Sequence, residues 1–524
     1  MLVVSASEMA SLDRHTIEKV GIPGIVLMEN AARGAADFFE SMVPDIAQRK
    51  ITVLAGSGNN GGDGFVLARI FHNKGAEVQV VCLRSPLKLS GDALTNYQIL
   101  EKLQVPTLVW DESRDFHMQW QWVSQSQVII DAILGTGLNS EVRGLFREII
   151  EALNKLRAIV LAVDIPSGLD ATTGRPLGAA VRAAGTATFG FLKIGQLLEP
   201  GSEHVGRLQL VDIGIPQSVA MARGIQRWQL TEEMAAACIQ PRSPYIHKGG
   251  AGHVAVLSGS RGKTGAATLI CEAAGRVGAG LVTLFVPESL NSILEMKLTE
   301  AMTFPIAETE EQTPSESASH AIVDFLKDSH VLAAGPGIST HPSTAALLLS
   351  LLPRLPCPAV LDADALTLVA QNIPIISQTK APLVLTPHPG EMARLAKKSV
   401  KEVQENRLDT AREFAREHGV VLVLKGHGTV VAAPDGRLVI NSTGNPAMAS
   451  GGMGDTLTGM IAGFLAQGMD AFQAACLSVY THGAAADEAL EFPVSRGLIA
   501  SDLLPVIPRV LGRLEQKEGR RWNN

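Results

Sequence analysis

The stretch ITVLAGSGNNGGDGFVLARIFHNKGAEVQVVCL, residues 51–83, reads as a strand, a glycine-rich turn, a helix and a second strand. Residues 51–55 are β-branched or apolar, and GSGNNGGDG at 56–64 follows them without a spacer. A helical pattern over 64–74 then leads into a second β-branched run at 77–83. Comparable runs recur at 128–131 and 158–164. Strands alternating with helices predict a parallel sheet covered on both faces, with ligands gathered where the strands end.

The pattern continues to Val211, loosens through Gly214, Ile215 and Pro216, and passes an Ala-rich helical stretch at 231–238 before Pro241 and Pro244. A second series of strands follows at 253–257, 281–286, 331–334, 359–362, 383–386 and 420–424. With 524 residues the chain exceeds one ordinary core. Two α/β domains are expected, 1–225 with a Rossmann-like doubly wound parallel sheet and 226–515 with a second α/β sheet. Residues 307–319, AETEEQTPSESAS, are acidic and without apolar periodicity, and read as a solvated surface loop. No fixed repeat period is present.

Composition narrows the function. A net charge of −7 and an aromatic share of 4% offer neither a basic footprint nor stacking platforms for nucleic acid. The five cysteines, Cys82, Cys238, Cys271, Cys357 and Cys476, are scattered without a CxxC pair and read as buried thiols of a reducing cytosol. Glu8, Asp13 and Arg14 interrupt any early apolar run, so no secretory signal is expected and the protein is assigned to the cytoplasm. The most apolar stretch, 345–361, contains Pro353, Arg354, Pro356 and Pro358 and is no membrane span. A homo-oligomer is expected, its subunit number left open.

GSGNNGGDG satisfies GxGxxG after a strand, but a dinucleotide-binding dehydrogenase needs an acidic residue at the end of the second strand, where Leu83 and Arg84 stand. Three other strand ends are polar: Asp131, Asp164 and TFGFLKIG at 188–195. A lone aspartate there is usually a helix cap; several together point to a site wall.

GNPAMASGGMGDTLTGMIAGFLAQG, residues 444–468, is the strongest motif. The amides of Gly452–Gly454 and the helix start can bear the charge of a transferring phosphoryl group, while Asp455 accepts a proton from the attacking hydroxyl. The arrangement resembles that of ribokinase-like small-molecule kinases, and the resemblance implies a ribokinase-like α/β domain at the C-terminal end. GKT at 262–264 is no P-loop, since the first glycine of that pattern would fall on Leu257.

In this order, LMENA (27–31), GSGNNGGDG, DAILGTGL (131–138) and VDIPSGLDATTG (163–174) resemble the NAD(P)H-hydrate epimerase family over residues 8–215. That resemblance implies a cofactor pocket lined by Asn59, Asn60, Gly61, Gly62, Asp63, Gly135, Thr136, Gly137, Leu138, Asn139, Ser140 and Glu141. It also implies Asp164 against the hydrated nicotinamide, and a potassium ion among Asn60, Asp131 and Ser167. Asp164 is then the expected general acid/base.

HKGGAGHVAVLSGSRGKTGAA (247–267), AAGPG (333–337), LDADAL (361–366), LTPHPGEMARL (385–395) and VLKGHGTV (423–430), with GGMGD, resemble the ADP/ATP-dependent NAD(P)H-hydrate dehydratases over residues 228–510. By that resemblance Ala266, Gly337, His388 and Asp455 contact the hydrated cofactor, and Lys425, Gly426, His427, Gly428, Thr429 and Gly454 hold the nucleotide. Met453 stands where the family has a smaller residue such as Ser. The resemblance implies NADHX or NADPHX as substrate, ADP or ATP as phosphoryl donor, with ADP favoured, and Mg²⁺ with the nucleotide. A vitamin or sugar kinase with a regulatory cofactor-binding domain is the alternative, and a domain turned to binding protein or RNA is the third reading.

Overall fold

The computed structural model describes residues 1–490 and 494–517. The chain forms two compact units, Met1–Arg227 and Trp228–Asn524. Both are α/β.

The first unit is built on seven parallel strands. Their spatial order is Thr107–Val109, Glu77–Cys82, Lys50–Ala55, Val128–Ala132, Ile159–Val163, Gly185–Phe189 and Arg207–Val211. Strand residues alternate between faces. Ile51 and Val53 pack with Phe39, Phe65 and Phe71 from the helices Gly24–Met42 and Asn59–Asn73. Leu54, Ile129 and Val160 pack on the other face with Ile149, Ile150 and Leu153 of the helix Gly144–Leu153. Full burial of each such side chain stabilises by about 1.5–3 kcal/mol, so both faces hold the sheet. The expected doubly wound parallel sheet is what forms.

The helix after the glycine-rich turn begins at Asn59, five residues before the expected start. Gly61, Gly62 and Asp63 therefore lie in its first turns and not in a loop. Glycine is needed just upstream: a Cβ on Gly56 would sit 2.0 Å from the carbonyl oxygen of Ile133. This close approach joins the ends of two neighbouring strands.

A short parallel pair, Val3 with Leu192 and Val4 with Lys193, fastens the N-terminal segment to the far end of the unit. The helix Ala6–His15 follows, started by a capping box in which the Ser5 hydroxyl accepts from Glu8 N at 3.2 Å and Glu8 accepts from Ser5 N at 2.7 Å.

The second sheet has ten strands. In space they run Arg227–Gln229, Leu438–Asn441, Thr429–Ala432, Val421–Leu424, Leu383–Leu385, Ala359–Leu361, Val331–Ala334, His253–Leu257, Leu281–Pro287 and Met302–Ile306. Pairing is parallel from Met302–Ile306 through Val421–Leu424, then antiparallel across Thr429–Ala432 and Leu438–Asn441. The antiparallel edge lies outside the alternating pattern legible in the sequence. Helices Thr264–Arg276 and Met453–Ala466 supply much of the core, through Ile270, Ala274, Met460 and Ile461.

Residues 307–319 are only partly a solvated loop. Thr313, Pro314 and Ala318 are buried, and Thr344 donates to Pro314 O at 2.7 Å. Hydrogen bonding by threonine, invisible to a charge count, fastens the segment. All five cysteines are free thiols, four of them buried.

Candidate functional site

In the first unit a cavity of about 720 Å³ opens at the carboxyl ends of the strands. Asn59, Asn60, Asp63, Gly135, Thr136, Gly137, Leu138, Asn139, Ser140 and Asp164 line it. Gly61, Gly62 and Glu141, named with them from the sequence, belong to the same segments but are not among the lining residues. Gly58, extended at φ −95° and ψ −169°, precedes the helix without a side-chain cap. The amides at the helix start are thus left for a ligand.

Asp164 ends its strand with φ +63°, unusual for a residue with a side chain. Its backbone carbonyl accepts from the Gln196 amide at 2.7 Å. Its carboxylate forms an ion pair with Lys193 and accepts from Phe189 N at 3.1 Å. Lys193 is completely buried, and its ammonium also donates to Thr188 Oγ1 at 2.8 Å and Phe189 O at 2.9 Å. The aspartate is therefore aimed and charge-balanced from beneath.

Two more carboxyls face this pair. Burial, with the Asp164 charge adding to it and Lys193 opposing, pushes Asp13 up to about 6. Burial and the charges of Asp164 and Asp13 likewise raise Asp63. Sequence reasoning missed Asp13 and Lys193. Lys193 lay within the TFGFLKIG strand end, while Asp13 had no local signal.

Asp131 and Ser167 meet. Asp131 is fully buried and accepts from Ser167 N at 2.8 Å and Ser167 Oγ at 2.5 Å. Burial pushes its carboxyl up to about 6, against those hydrogen bonds. Asn60 lies beside Gly135, and Ser167 Oγ accepts from the adjacent Leu134 N at 2.8 Å. Both side-chain amide atoms of Asn60 are buried without a hydrogen-bond partner among the described residues. Buried polar groups are rarely left so, and an oxygen set of this kind suits a hard cation.

The second unit has its own polar cluster. Gly452, at φ +92°, turns the chain into the helix Met453–Ala466, with Asp455 in the first turn and no side-chain cap. Asp362, buried at the end of Ala359–Leu361, accepts from Lys425 Nζ at 2.6 Å and from Thr458 Oγ1 at 2.9 Å. Burial first and the Asp362 charge second push Asp455 up to about 6, with Lys425 opposing. A Cβ on Gly454 would come within 3.2 Å of Lys425 Nζ, which brings Gly454, Lys425 and Asp455 together.

His388 caps the helix Pro389–Ala396, its Nδ1 accepting from Gly390 N at 3.0 Å. Its neighbour Glu391 is buried, which raises its carboxyl, and feels the charges of Lys425 and Asp362. Gly337 packs against Lys263 and Ala266. Asp364 bonds both Lys263 at 3.0 Å and Ser339 N at 2.9 Å and adds to the field on Asp455.

The 425–429 segment is propped from behind by Arg407. Its buried guanidinium donates to Leu424 O at 3.1 Å, Lys425 O at 3.2 Å and Gly428 O at 3.5 Å. Thr429 Oγ1 closes the turn onto Gly426 O at 2.8 Å. Asp362 and Arg407 were not singled out from the sequence. The first stood within the quoted LDADAL motif; the second gave no signal.

Family models match both halves of the chain. One described as NAD(P)H-hydrate dehydratase matches residues 254–509, and one described as YjeF-related protein N-terminus matches residues 24–195. A bifunctional NAD(P)H-hydrate repair enzyme of Moorella thermoacetica is 44% identical over 520 residues, covering 99% of this chain and 98% of that protein. One of Escherichia coli is 35% identical over 512 residues, covering 97% and 93%. Among solved structures, a Bacillus subtilis ADP/ATP-dependent NAD(P)H-hydrate dehydratase with ATP and Mg²⁺ is 35% identical and covers 55% of this chain and 98% of that one, with a TM-score of 0.48.

Proposed function

The chain belongs to the bifunctional NAD(P)H-hydrate repair enzymes, and on that premise we propose how its two units divide the work. It is an NAD(P)H-hydrate epimerase and a nucleotide-dependent NAD(P)H-hydrate dehydratase. Residues 1–225 carry the epimerase and residues 226–515 the dehydratase. The observation that carries this reading is one complete polar site in each unit: Asp164 on Lys193 in the first, and Asp455 beside the Asp362–Lys425 pair in the second.

In the epimerase the substrate hydroxyl sits on a ring carbon next to nitrogen. The nitrogen lone pair helps expel oxygen, and water can return on either face. The protein supplies proton management, with Asp164 as acid/base. Asn60, Asp131 and Ser167 would hold potassium, which supplies a fixed positive charge near Asp131 when bound. The orphaned Asn60 amide and the raised Asp131 carboxyl both fit that ion.

In the dehydratase, hydroxide is a poor leaving group and phosphate a good one. ADP, or ATP, phosphorylates the ring hydroxyl of the S epimer, leaving AMP or ADP, and loss of phosphate together with a proton from the adjacent ring carbon then yields NAD(P)H and inorganic phosphate. Asp455 takes the hydroxyl proton, the amides at Gly452–Gly454 bear the developing charge, and residues 425–429 hold the nucleotide. No group of three or more His, Cys, Asp or Glu among the described residues forms a metal cage. Magnesium carried on the nucleotide phosphates needs none. Ala266, Gly337 and His388 face the hydrated cofactor.

No helix among the described residues is long and apolar enough to cross a membrane. We assign the enzyme to the cytoplasm and expect a homo-oligomer, testable by light scattering. The direct test of function is incubation with mixed NADHX epimers, magnesium and ADP, following NADH and phosphate together. Full conversion with equal phosphate is expected. Conversion of about half would remove the epimerase, and a stable phosphorylated product would favour a kinase.

A further inference from the structure

We propose that Asp13 is a second catalytic carboxyl of the epimerase, delivering the proton to the departing hydroxyl while Asp164 takes one from the water that adds. The proposal rests on the epimerase reading of the N-terminal unit. Epimerisation at a carbon bearing a hydroxyl needs oxygen to leave from one face of the ring and return on the other. A single carboxylate tied to a lysine is poorly placed to serve both.

The two groups reach the cavity from different walls. Asp164 rises from the sheet at the end of Ile159–Val163, and Asp13 comes from the helix Ala6–His15. That helix is firmly tethered. The strand pairing of Val4 with Lys193 ties its entry to the lysine that holds Asp164. Ala6 N donates to Thr172 Oγ1 at 3.1 Å, and Glu8 pairs with Arg227.

The Asp13 carboxyl takes no part in the hydrogen bonds that tether its helix. No described side chain or amide hydrogen-bonds to its carboxyl, which only feels the charges of Asp164 and Lys193. An aspartate kept for packing or capping would be bonded; this one lines the cavity with its oxygens free. Its neighbours set its protonation. Burial and the carboxylate of Asp164 favour the neutral acid, Lys193 opposes them, and Asp63 adds a third raised carboxyl nearby. A raised carboxyl standing opposite an aspartate paired with a lysine gives the site two groups between which proton donation and acceptance can be divided.

The step balances. The ring nitrogen lone pair forms a carbon–nitrogen double bond as the carbon–oxygen bond breaks, and the Asp13 proton leaves with the hydroxyl as water. Water then adds to the same carbon on the other face, its proton goes to Asp164, and the double bond returns to the nitrogen as a lone pair. Nothing is oxidised or reduced. In either direction the pair must carry one proton between its two carboxyls, held at rest by Asp13, so losing that proton stops turnover from both epimers, and proton exchange with solvent resets the pair after each turnover.

The test starts from one purified epimer of NADHX without nucleotide and follows the other by reversed-phase chromatography, with enzyme-free rates subtracted. Asp13→Asn should lower kcat by about a hundredfold or more while KM changes little, and Asp13→Glu should recover part of the rate. In the unmutated enzyme kcat should fall as pH rises through about 6, where Asp13 loses its proton. Wild-type turnover in Asp13→Asn, or a flat wild-type profile between pH 5 and 8, overturns the proposal. The same assay on Asp164→Asn separates the failures: if that variant is inactive while Asp13→Asn is normal, only Asp13 is excluded. If both are normal, the epimerase reading of this cavity falls as well.

Discussion

In the N-terminal unit the buried Lys193 holds Asp164 and leaves Asp13 free, pushed up to about 6; in the C-terminal unit Lys425 holds Asp362 and leaves Asp455 free, also at about 6. Each site thus has one carboxylate fixed by a lysine and, beside it, a carboxyl raised mainly by burial, with Asp63 in the first and Glu391 in the second raised as well. The lysine lowers the free group in both places, and burial outweighs it. On the proposed roles, the difference is the direction of proton flow. Expelling a hydroxyl needs a donor, whereas activating a hydroxyl for phosphorylation needs an acceptor, so one electrostatic arrangement serves opposite ends of a proton transfer.

The largest effect that would break the comparison is the loss of the carboxyl proposed to carry each reaction. Asp455→Asn should lower dehydration and phosphate release together by about a hundredfold to ten-thousandfold, leaving epimerisation intact. Normal phosphate release in that variant would remove Asp455 from the chemistry. Asp164→Asn should do the reverse, abolishing epimerisation while retaining ligand binding by isothermal titration.

Next in size is the support beneath Asp164. Lys193→Met strands a mostly buried carboxylate, and losing one partner of such a pair costs about 3 kcal/mol or more. Urea unfolding should show the N-terminal unit destabilised by that order. A change under about 0.5 kcal/mol would show the ammonium to be dispensable.

The pH profiles sharpen the comparison further. Epimerase kcat should fall as pH rises through about 6, because Asp13 must be protonated, while dehydratase kcat should rise through about 6, because Asp455 must be ionised. Well beyond the inflection each limb should change about tenfold per pH unit. Parallel profiles would mean that the free carboxyls play the same role.

The smallest effect concerns Arg407, which props the 425–429 segment proposed to hold the nucleotide. Arg407→Lys keeps the charge but cannot span three carbonyls, and a charged hydrogen bond is worth about 1.5 kcal/mol, so KM for ADP should rise about tenfold. Epimerisation should not change.

The two sites were unequally legible in the sequence. Asp455, Lys425 and His388 stand in local motifs whose glycines and prolines mark their strand and helix ends, and these residues converge in the fold. Asp164 and Asp131 were readable for the same reason, as polar residues closing apolar strands. Asp13 was not, because it reaches the cavity through the pairing of Val3–Val4 with Leu192–Lys193, a contact between opposite ends of the unit that leaves no periodic trace. Arg407 acts from a helix on the carbonyls of a distant loop, and carbonyls have no residue code. The antiparallel edge at Thr429–Ala432 and Leu438–Asn441 was hidden for a different reason. Its strands are four residues long and separated only by a short turn, so the strand–helix alternation that signals the rest has no helix there.

The central claim is that two independent sites act in succession on a substrate that can leave one and reach the other. It is tested by giving purified R-NADHX, with ADP and magnesium, to Asp164→Asn alone, to Asp455→Asn alone, and to the two mixed, with the slow enzyme-free epimerisation subtracted. Neither variant alone should form NADH, and the mixture should restore it together with an equal amount of phosphate. A mixture that stays inactive, while Asp455→Asn still epimerises and Asp164→Asn still dehydrates the S epimer, would contradict the account.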